Sequence, residues 1–130
     1  MQRMPRRRVV VVNDDTVFLS LMDDLLSEEG YRTVVLRENE QPYDVIKRER
    51  PELLIIDMRI GNPDAAWMIL ETVRLDPATT NIPVILCSAD IRLMRSKARL
   101  LREQRCEVLE KPFNLDKLLA TVEKMFEAAS

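Results

Sequence analysis

The sequence predicts a doubly wound α/β sandwich around a five-stranded parallel sheet. Three observations carry that expectation. Residues 9–12 and 53–56 are aliphatic at every position, the pattern of strands covered by helices on both faces. Stretches with apolar residues at helical spacing separate the strand-like runs along the whole chain. All five strand-like runs end on charged or hydroxyl residues: Asp14 and Asp15, Arg37 and Glu38, Asp57, Ser88 and Lys111, and the second run need not take part if its strand is at the sheet's edge.

The first strand, 9–12, is four consecutive valines and stops at Asn13-Asp14-Asp15. A helix is expected from Thr16 to about Glu29, with Phe18, Leu21, Leu25, Met22 and Leu26 forming its apolar face. Gly30 stands where a left-handed cap ends that helix. Residues 31–36 read as the second strand, and 42–50 as a short helix with Val45 and Ile46 inward. The third strand, 53–58, leads to a helix with Pro63 in its first turn and an inward stripe of Ala66, Ile69, Leu70 and Val73. Asp76-Pro77 ends that helix. Residues 83–87 form the fourth strand, followed by one basic helix over about 91–104. A short fifth strand, 106–109, precedes a last helix over about 115–128 with Leu118, Leu119, Val122, Met125 and Phe126 inward. Right-handed crossovers connect the parallel strands. One domain is expected, structured over about 8–128, with no output domain attached.

Composition narrows the function. The 130 residues are 46% hydrophobic and 32% charged, the balance of a globular domain able to bury its own core. A net charge of −2 predicts neither general nucleic-acid binding nor adhesion to an anionic membrane. There is no histidine, so Ser-His-Asp triads, Cys-His pairs and His-bearing zinc sites are all excluded. Cys87 and Cys106 have no CxxC spacing and lie in apolar surroundings, as buried reduced thiols do. No stretch approaches the 18 apolar residues of a membrane span, and a cytoplasmic location is expected.

In a parallel sheet the C-terminal ends of the strands share one rim, where ligands bind in open α/β folds. The end of the 53–58 strand alone leaves two readings open: Asp57 is a site residue, or it merely begins a loop. The other strand ends decide between them. Asp14, Asp15 and Asp57 brought together repel one another, and a hard divalent cation relieves that repulsion. Mg2+ takes oxygen ligands, retains waters and bridges to phosphate; Lys111 adds a point charge suited to phosphate, and Ser88 a hydrogen-bond donor. A carboxylate in such company is a competent nucleophile toward phosphorus. The constellation fits a site that forms and hydrolyses an aspartyl phosphate.

Asn13-Asp14-Asp15, Asp57, Ser88-Ala89 and Lys111-Pro112-Phe113 together resemble the motifs of response-regulator receiver domains of two-component signalling, over essentially the whole chain. The resemblance implies a flavodoxin-like fold with strand order 2-1-3-4-5. It implies a phosphoacceptor at Asp57, served by a histidine kinase or phosphotransfer protein. Mg2+ would be held by Asp15, Asp57 and the backbone carbonyl of Arg59, with Asp14 acting through water. Ser88 and Lys111 would hold the phosphoryl group, and the Lys111-Pro112 bond would be cis. Such a protein is a signalling switch whose only chemistry is autophosphorylation and autodephosphorylation, and it is a monomer or a phosphorylation-dependent dimer.

The chain also departs from the family pattern. Val108 stands where an aromatic switch residue is usual, so signalling through Ser88 and an aromatic cannot operate in the ordinary way. The 58–65 loop has Gly61 and Ala65 where Pro and Gly are usual. Arg59 is either a solvated loop residue or a cation that pairs with the phosphoryl group or with Asp90 and slows its hydrolysis. The run Arg92, Arg95, Lys97, Arg99, Arg102 and Arg105, against the single acid Glu103, is either a solvated face or a partner surface for an output protein. Trp67 reads as partly buried packing. The alternative function is a degenerate receiver that acts as a phosphorylation-independent interaction module. A phosphatase of the haloacid dehalogenase type would need a carboxylate where Arg59 stands, and nucleotide binding would need a glycine-rich loop that the two glycines cannot supply.

Overall fold

A computed structural model describes residues 6–58 and 64–129. Strands β1 (Arg8–Val12), β2 (Arg32–Leu36), β3 (Leu53–Met58), β4 (Val84–Ser88) and β5 (Cys106–Glu110) form one parallel sheet in the order β2-β1-β3-β4-β5. Helices α1 (Thr16–Glu28), α2 (Pro42–Glu49), α3 (Asp64–Leu75), α4 (Ile91–Ser96), α5 (Ala98–Glu103) and α6 (Leu115–Ala129) cover its two faces. The expected fold class and strand order are both found.

Alternate residues of each central strand face opposite layers, so the aliphatic runs feed two cores. Val10, Val12, Leu54, Ile56, Val84 and Leu86 pack with Ile46 of α2, Ile69, Leu70 and Val73 of α3, Met94 of α4 and Leu101 of α5. Val9, Val11, Leu53, Ile55, Ile85 and Cys87 pack with Leu19, Met22 and Leu26 of α1 and Leu118, Val122 and Phe126 of α6. All six residues of β3 are buried. At about 1.5–3 kcal/mol for each large aliphatic side chain withdrawn from water, this strand is the best-anchored element of the fold. The strand that presents Asp57 is therefore held from above and below, with neighbours β1 and β4 on its two sides.

Two expectations are corrected. Residues 91–104 are not one helix: the chain breaks at Lys97, whose φ of −104° and ψ of 4° leave the helical region. The Ser96 hydroxyl donates to the Leu93 carbonyl at 2.7 Å, a back-bond that competes with the helical ladder and bends it. On α1 the buried stripe is Leu19, Met22 and Leu26, while Leu21 is 45% exposed and Phe18 and Leu25 are half-buried. The helix carries two overlapping apolar stripes, and the sheet takes the one running through Leu19.

The other expectations hold with small shifts at the ends. Gly30 adopts φ +90° directly after α1. The α3 stripe of Ala66, Ile69, Leu70 and Val73 is buried, and the helix ends at Leu75 before Asp76-Pro77. On α6, Leu118, Val122 and Phe126 are buried and Leu119 and Met125 half-buried. Trp67 is half-buried against the core, and Cys87 and Cys106 are buried free thiols. Pro63 lies outside the described residues.

Candidate functional site

The ends of β1, β3 and the β5–α6 connection line an open cleft of about 700 Å³, walled by Asp14, Asp15, Asp57 and Lys111 together with Ala89 and the ring of Phe113. Each acidic group reaches it by a local device. Asn13 is buried; its amide N–H donates to the Leu36 carbonyl at 3.1 Å, and its Oδ1 accepts the Asp15 N–H at 2.8 Å. This Asx turn points the following acids outward from the rim. Asp15 is the N-cap of α1: one carboxylate oxygen, Oδ1, accepts the N–H of Val17 at 3.0 Å and of Phe18 at 3.2 Å. Asp14 is half-buried, and its Oδ1 accepts the Glu38 N–H at 3.1 Å across the rim.

Asp57 is 7% exposed near the end of β3, a carboxylate almost removed from water. Its counter-charge is Lys111, whose ammonium meets Asp57 Oδ1 directly. Lys111 arrives from the end of β5, and its own N–H donates to the Ser88 carbonyl at 2.9 Å, tying its loop to β4. The Lys111-Pro112 peptide is cis, as expected. Phe18 of α1 and Phe113 beyond that peptide meet edge to face at a centroid distance of 6.2 Å and close one wall of the cleft.

Ser88 is 1% exposed at the end of β4, in register with Met58 beside Asp57. Its Oγ accepts the Asp90 N–H at 3.0 Å, and Asp90 Oδ1 accepts the Leu93 N–H at 3.0 Å as the cap of α4. The Ser88 hydroxyl is thus one hydrogen bond away from the residue that caps α4. Val108 is half-buried in β5, in register with Leu86, and packs on the α3 side of the sheet. Arg59, expected to offer a metal-ligating carbonyl and a modulating side chain, lies outside the described residues. The Cys87 thiol, in register with Asp57, is pushed up to about 12 by burial first and by the Asp57 charge second, which keeps it a neutral packing group.

The cleft therefore brings together Asp14, Asp15, Asp57 and Lys111, while Ser88, expected among the site residues, is not part of its lining. Among the described residues, no three histidine, cysteine or acidic side chains stand close enough to hold a metal by themselves. Mg2+ does not require three, because one or two carboxylates with water and phosphate oxygens complete its shell. A hard-oxygen donor set on an open cleft fits that ion. Phe18 carries no mark of a site residue in the sequence, whereas Asn13 and Phe113 stand inside the motifs. The signal for Asn13 was present, as an Asn two residues before a capping Asp.

The family profile described as response regulator receiver domain matches residues 9–123. The polar-differentiation response regulator DivK of Brucella anthropi is 26% identical over 121 residues, spanning 92% of this chain and 94% of that protein. Sporulation initiation phosphotransferase F of Bacillus subtilis is 25% identical over 123 residues, spanning 93% of this chain and 94% of that protein. The solved structure of chemotaxis response regulator CheY4 of Vibrio cholerae superposes with a TM-score of 0.77 at 18% identity, covering 93% of this chain and 99% of that one, a likeness of fold. No described helix is long and apolar enough to cross a membrane. The profile match, the strand order and the acidic cleft with its lysine agree, and the chain belongs to the response-regulator receiver domains of two-component signalling.

Proposed function

We propose that the protein is a phospho-accepting receiver, taking a phosphoryl group onto Asp57 from the phosphohistidine of a histidine kinase or phosphotransfer protein in a Mg2+-dependent reaction. The observation that carries this reading is the buried Asp57 carboxylate on the open cleft, with Lys111 as its direct counter-charge and Asp14 and Asp15 on the same walls. A carboxylate held only for stability is more simply replaced by an apolar residue, because burying an ion pair gains little. Asp14, Asp15 and Asp57, with the Arg59 carbonyl, would hold the cation. When bound it would neutralise charge between the carboxylates and the incoming phosphoryl oxygens. A carboxylate oxygen of Asp57 attacks phosphorus in line; the P–N bond to the donor imidazole breaks and a P–O bond to Asp57 forms. Lys111 stays beside the new acyl phosphate and offsets its added charge. The Ser88 Oγ accepts the Asp90 N–H, and its own O–H is left to donate to a phosphoryl oxygen.

A phosphoryl group that engages the Ser88 hydroxyl would act on the Asp90 N–H bond that the hydroxyl accepts and, through Asp90, on the cap of α4. With Val108 in the place of the usual aromatic, this backbone link is the route by which the signal leaves the site. Acetyl phosphate with Mg2+ tests the reading. The wild-type chain is expected to gain the mass of one phosphoryl group, and the Asp57→Asn variant to gain none. No gain by the wild type, also with a phosphorylated histidine-kinase donor, would instead favour a degenerate receiver that works by contact alone.

A further inference from the structure

The outer face of α2 and α3 combines an apolar groove with unpaired charge. Both helices return from the rim to the start of the next strand on one side of the sheet, where Ile46 of α2 shares a core with Ile69, Leu70 and Val73 of α3. They therefore lie side by side and run in the same direction. Between them is a groove of about 300 Å³, walled by Pro42, Tyr43, Ala65, Met68, Ile69 and Thr72. Met68 is 67% exposed and Leu75 75% exposed. They stand seven residues apart on one side of α3, with the exposed Glu71 between them.

Charge on this face is sorted along the helices. On α2, Asp44 is exposed in the first turn, and Lys47 and Arg48 are exposed in the last. Asp44 and Arg48 are four residues apart, so they share one side of the helix. Among the described residues, Asp44 and Glu71 meet no base, and Arg48 meets only its neighbour Glu49 at 3.8 Å, with the Arg48 side chain 70% exposed. Lys47 reaches Asp76, just beyond α3, at 3.2 Å, and the Tyr43 hydroxyl donates to the same carboxylate. These contacts set the levels of the two helices. The acidic end of α2 lies beside the middle of α3, along the groove, and its basic end lies beside the last turn of α3.

We propose that this face pairs with the same face of a second copy of the chain, about a two-fold axis that runs across the helices. Such an axis sets α2 against α2 and α3 against α3, antiparallel, and makes every contact twice. Asp44 of each copy then meets Arg48 of the other, and Met68 of each meets Leu75 of the other. Lys47 comes over Glu71 near the axis. A two-fold axis along the helices would instead set Asp44 against Asp64 and Glu71, like charge against like. A foreign helix would have to reproduce this order of acid, apolar group and base, whereas a second copy carries it already. The 12 residues of α3 give the face a length of about 18 Å. Two helices about 10 Å apart make it about 20 Å wide. That is less than half of the about 800 Å² per partner of a standard interface, so the dimer is a weak one. It does not depend on phosphoryl acceptance at Asp57, and each proposal can fail alone.

Sedimentation equilibrium of the whole chain tests it, without phosphodonor and with divalent ions chelated. The wild type is expected to dimerise with a dissociation constant on the order of 100 µM. Asp44→Arg and Arg48→Asp should each weaken the dimer about tenfold, because symmetry repeats each change and each repeat costs roughly threefold. The Asp44→Arg/Arg48→Asp variant exchanges the two charges and should return to within about threefold of wild type. Met68→Gln should weaken the dimer about fivefold by removing apolar contact on both sides of the axis. If a charge reversal fails to fold, Asp44→Asn and Arg48→Gln should each weaken the dimer about threefold. A chain that stays monomeric to about 1 mM, a dimer indifferent to the single reversals, or a double variant no tighter than either single one would each overturn the proposal.

Discussion

Replacing Lys111 by Met keeps the length and apolar stem of the side chain but removes the charge that faces Asp57. The Asp57 side chain is 8% exposed and the Lys111 side chain 33%. Breaking a fully buried ion pair costs about 3–5 kcal/mol, and an exposed pair is worth about 0–1 kcal/mol. With the acid deeply buried and the base partly wet, the pair lies between these limits, and Lys111→Met should cost about 2 kcal/mol. The cause would be an uncompensated carboxylate, so removing that charge should remove the penalty. Asp57→Asn alone is expected to change stability by less than about 0.5 kcal/mol, because it also relieves repulsion from Asp14 and Asp15 in the same cleft. The double variant should match Asp57→Asn, giving a coupling of about 2 kcal/mol. Urea unfolding at pH 7 with divalent ions chelated measures all four corners of the cycle. A loss below about 0.5 kcal/mol for Lys111→Met, or the same loss whether residue 57 is Asp or Asn, would refute the reasoning.

Other expected outcomes follow from single contacts. Asp15→Ala removes the α1 cap and should cost about 1 kcal/mol by urea unfolding, whereas Asp15→Asn should keep most of that stability and still weaken Mg2+ binding. Arg74→Met should cost about 2–4 kcal/mol, because its guanidinium donates to the carbonyls of Gln104 at 2.8 Å, Thr80 at 3.0 Å and Ile82 at 2.7 Å and no apolar side chain can replace those bonds. The Asp76 carboxyl is held down from 3.8 to about 2, first by the Tyr43 hydroxyl and then by the Ala78 N–H and Lys47. A depressed native value contributes stability above the ordinary value and loses it as pH falls from about 4 to about 2. Acid unfolding of Asp76→Asn should therefore be flatter than wild type in that window.

The sheet was legible because strands buried on both faces leave a mark that little else leaves: Val9 to Val12 and Leu53 to Ile56 carry no polar residue at all. The site was legible for a related reason. Asp57, Ser88 and Lys111 each stand where an apolar run stops, and a parallel sheet brings all such stops to one rim. The break at Lys97 was not legible, since neither Gly nor Pro marks it; a serine hydroxyl bends the chain there. Nor was the choice of Leu19 over Leu21 on α1, because both belong to acceptable helical stripes and only the position of the sheet selects one. Arg74 was hidden for the opposite reason. A charged residue next to the inward stripe of α3 reads as solvated, yet it turns under the sheet edge and ties three carbonyls from two loops. Arg50 and Arg105 adopt φ of 49° and 58°, conformations for which their sequence gives no sign.

The central claim is that Asp57, and no other carboxylate of the cleft, takes the phosphoryl group. Borohydride reduction after treatment with acetyl phosphate and Mg2+ marks an acyl phosphate permanently, and peptide mass spectrometry then locates it. One mark is expected, at Asp57, abolished by Asp57→Asn and by chelation of the metal. A mark at Asp14 or Asp15, or none at all under conditions where the folded chain binds Mg2+, would contradict it.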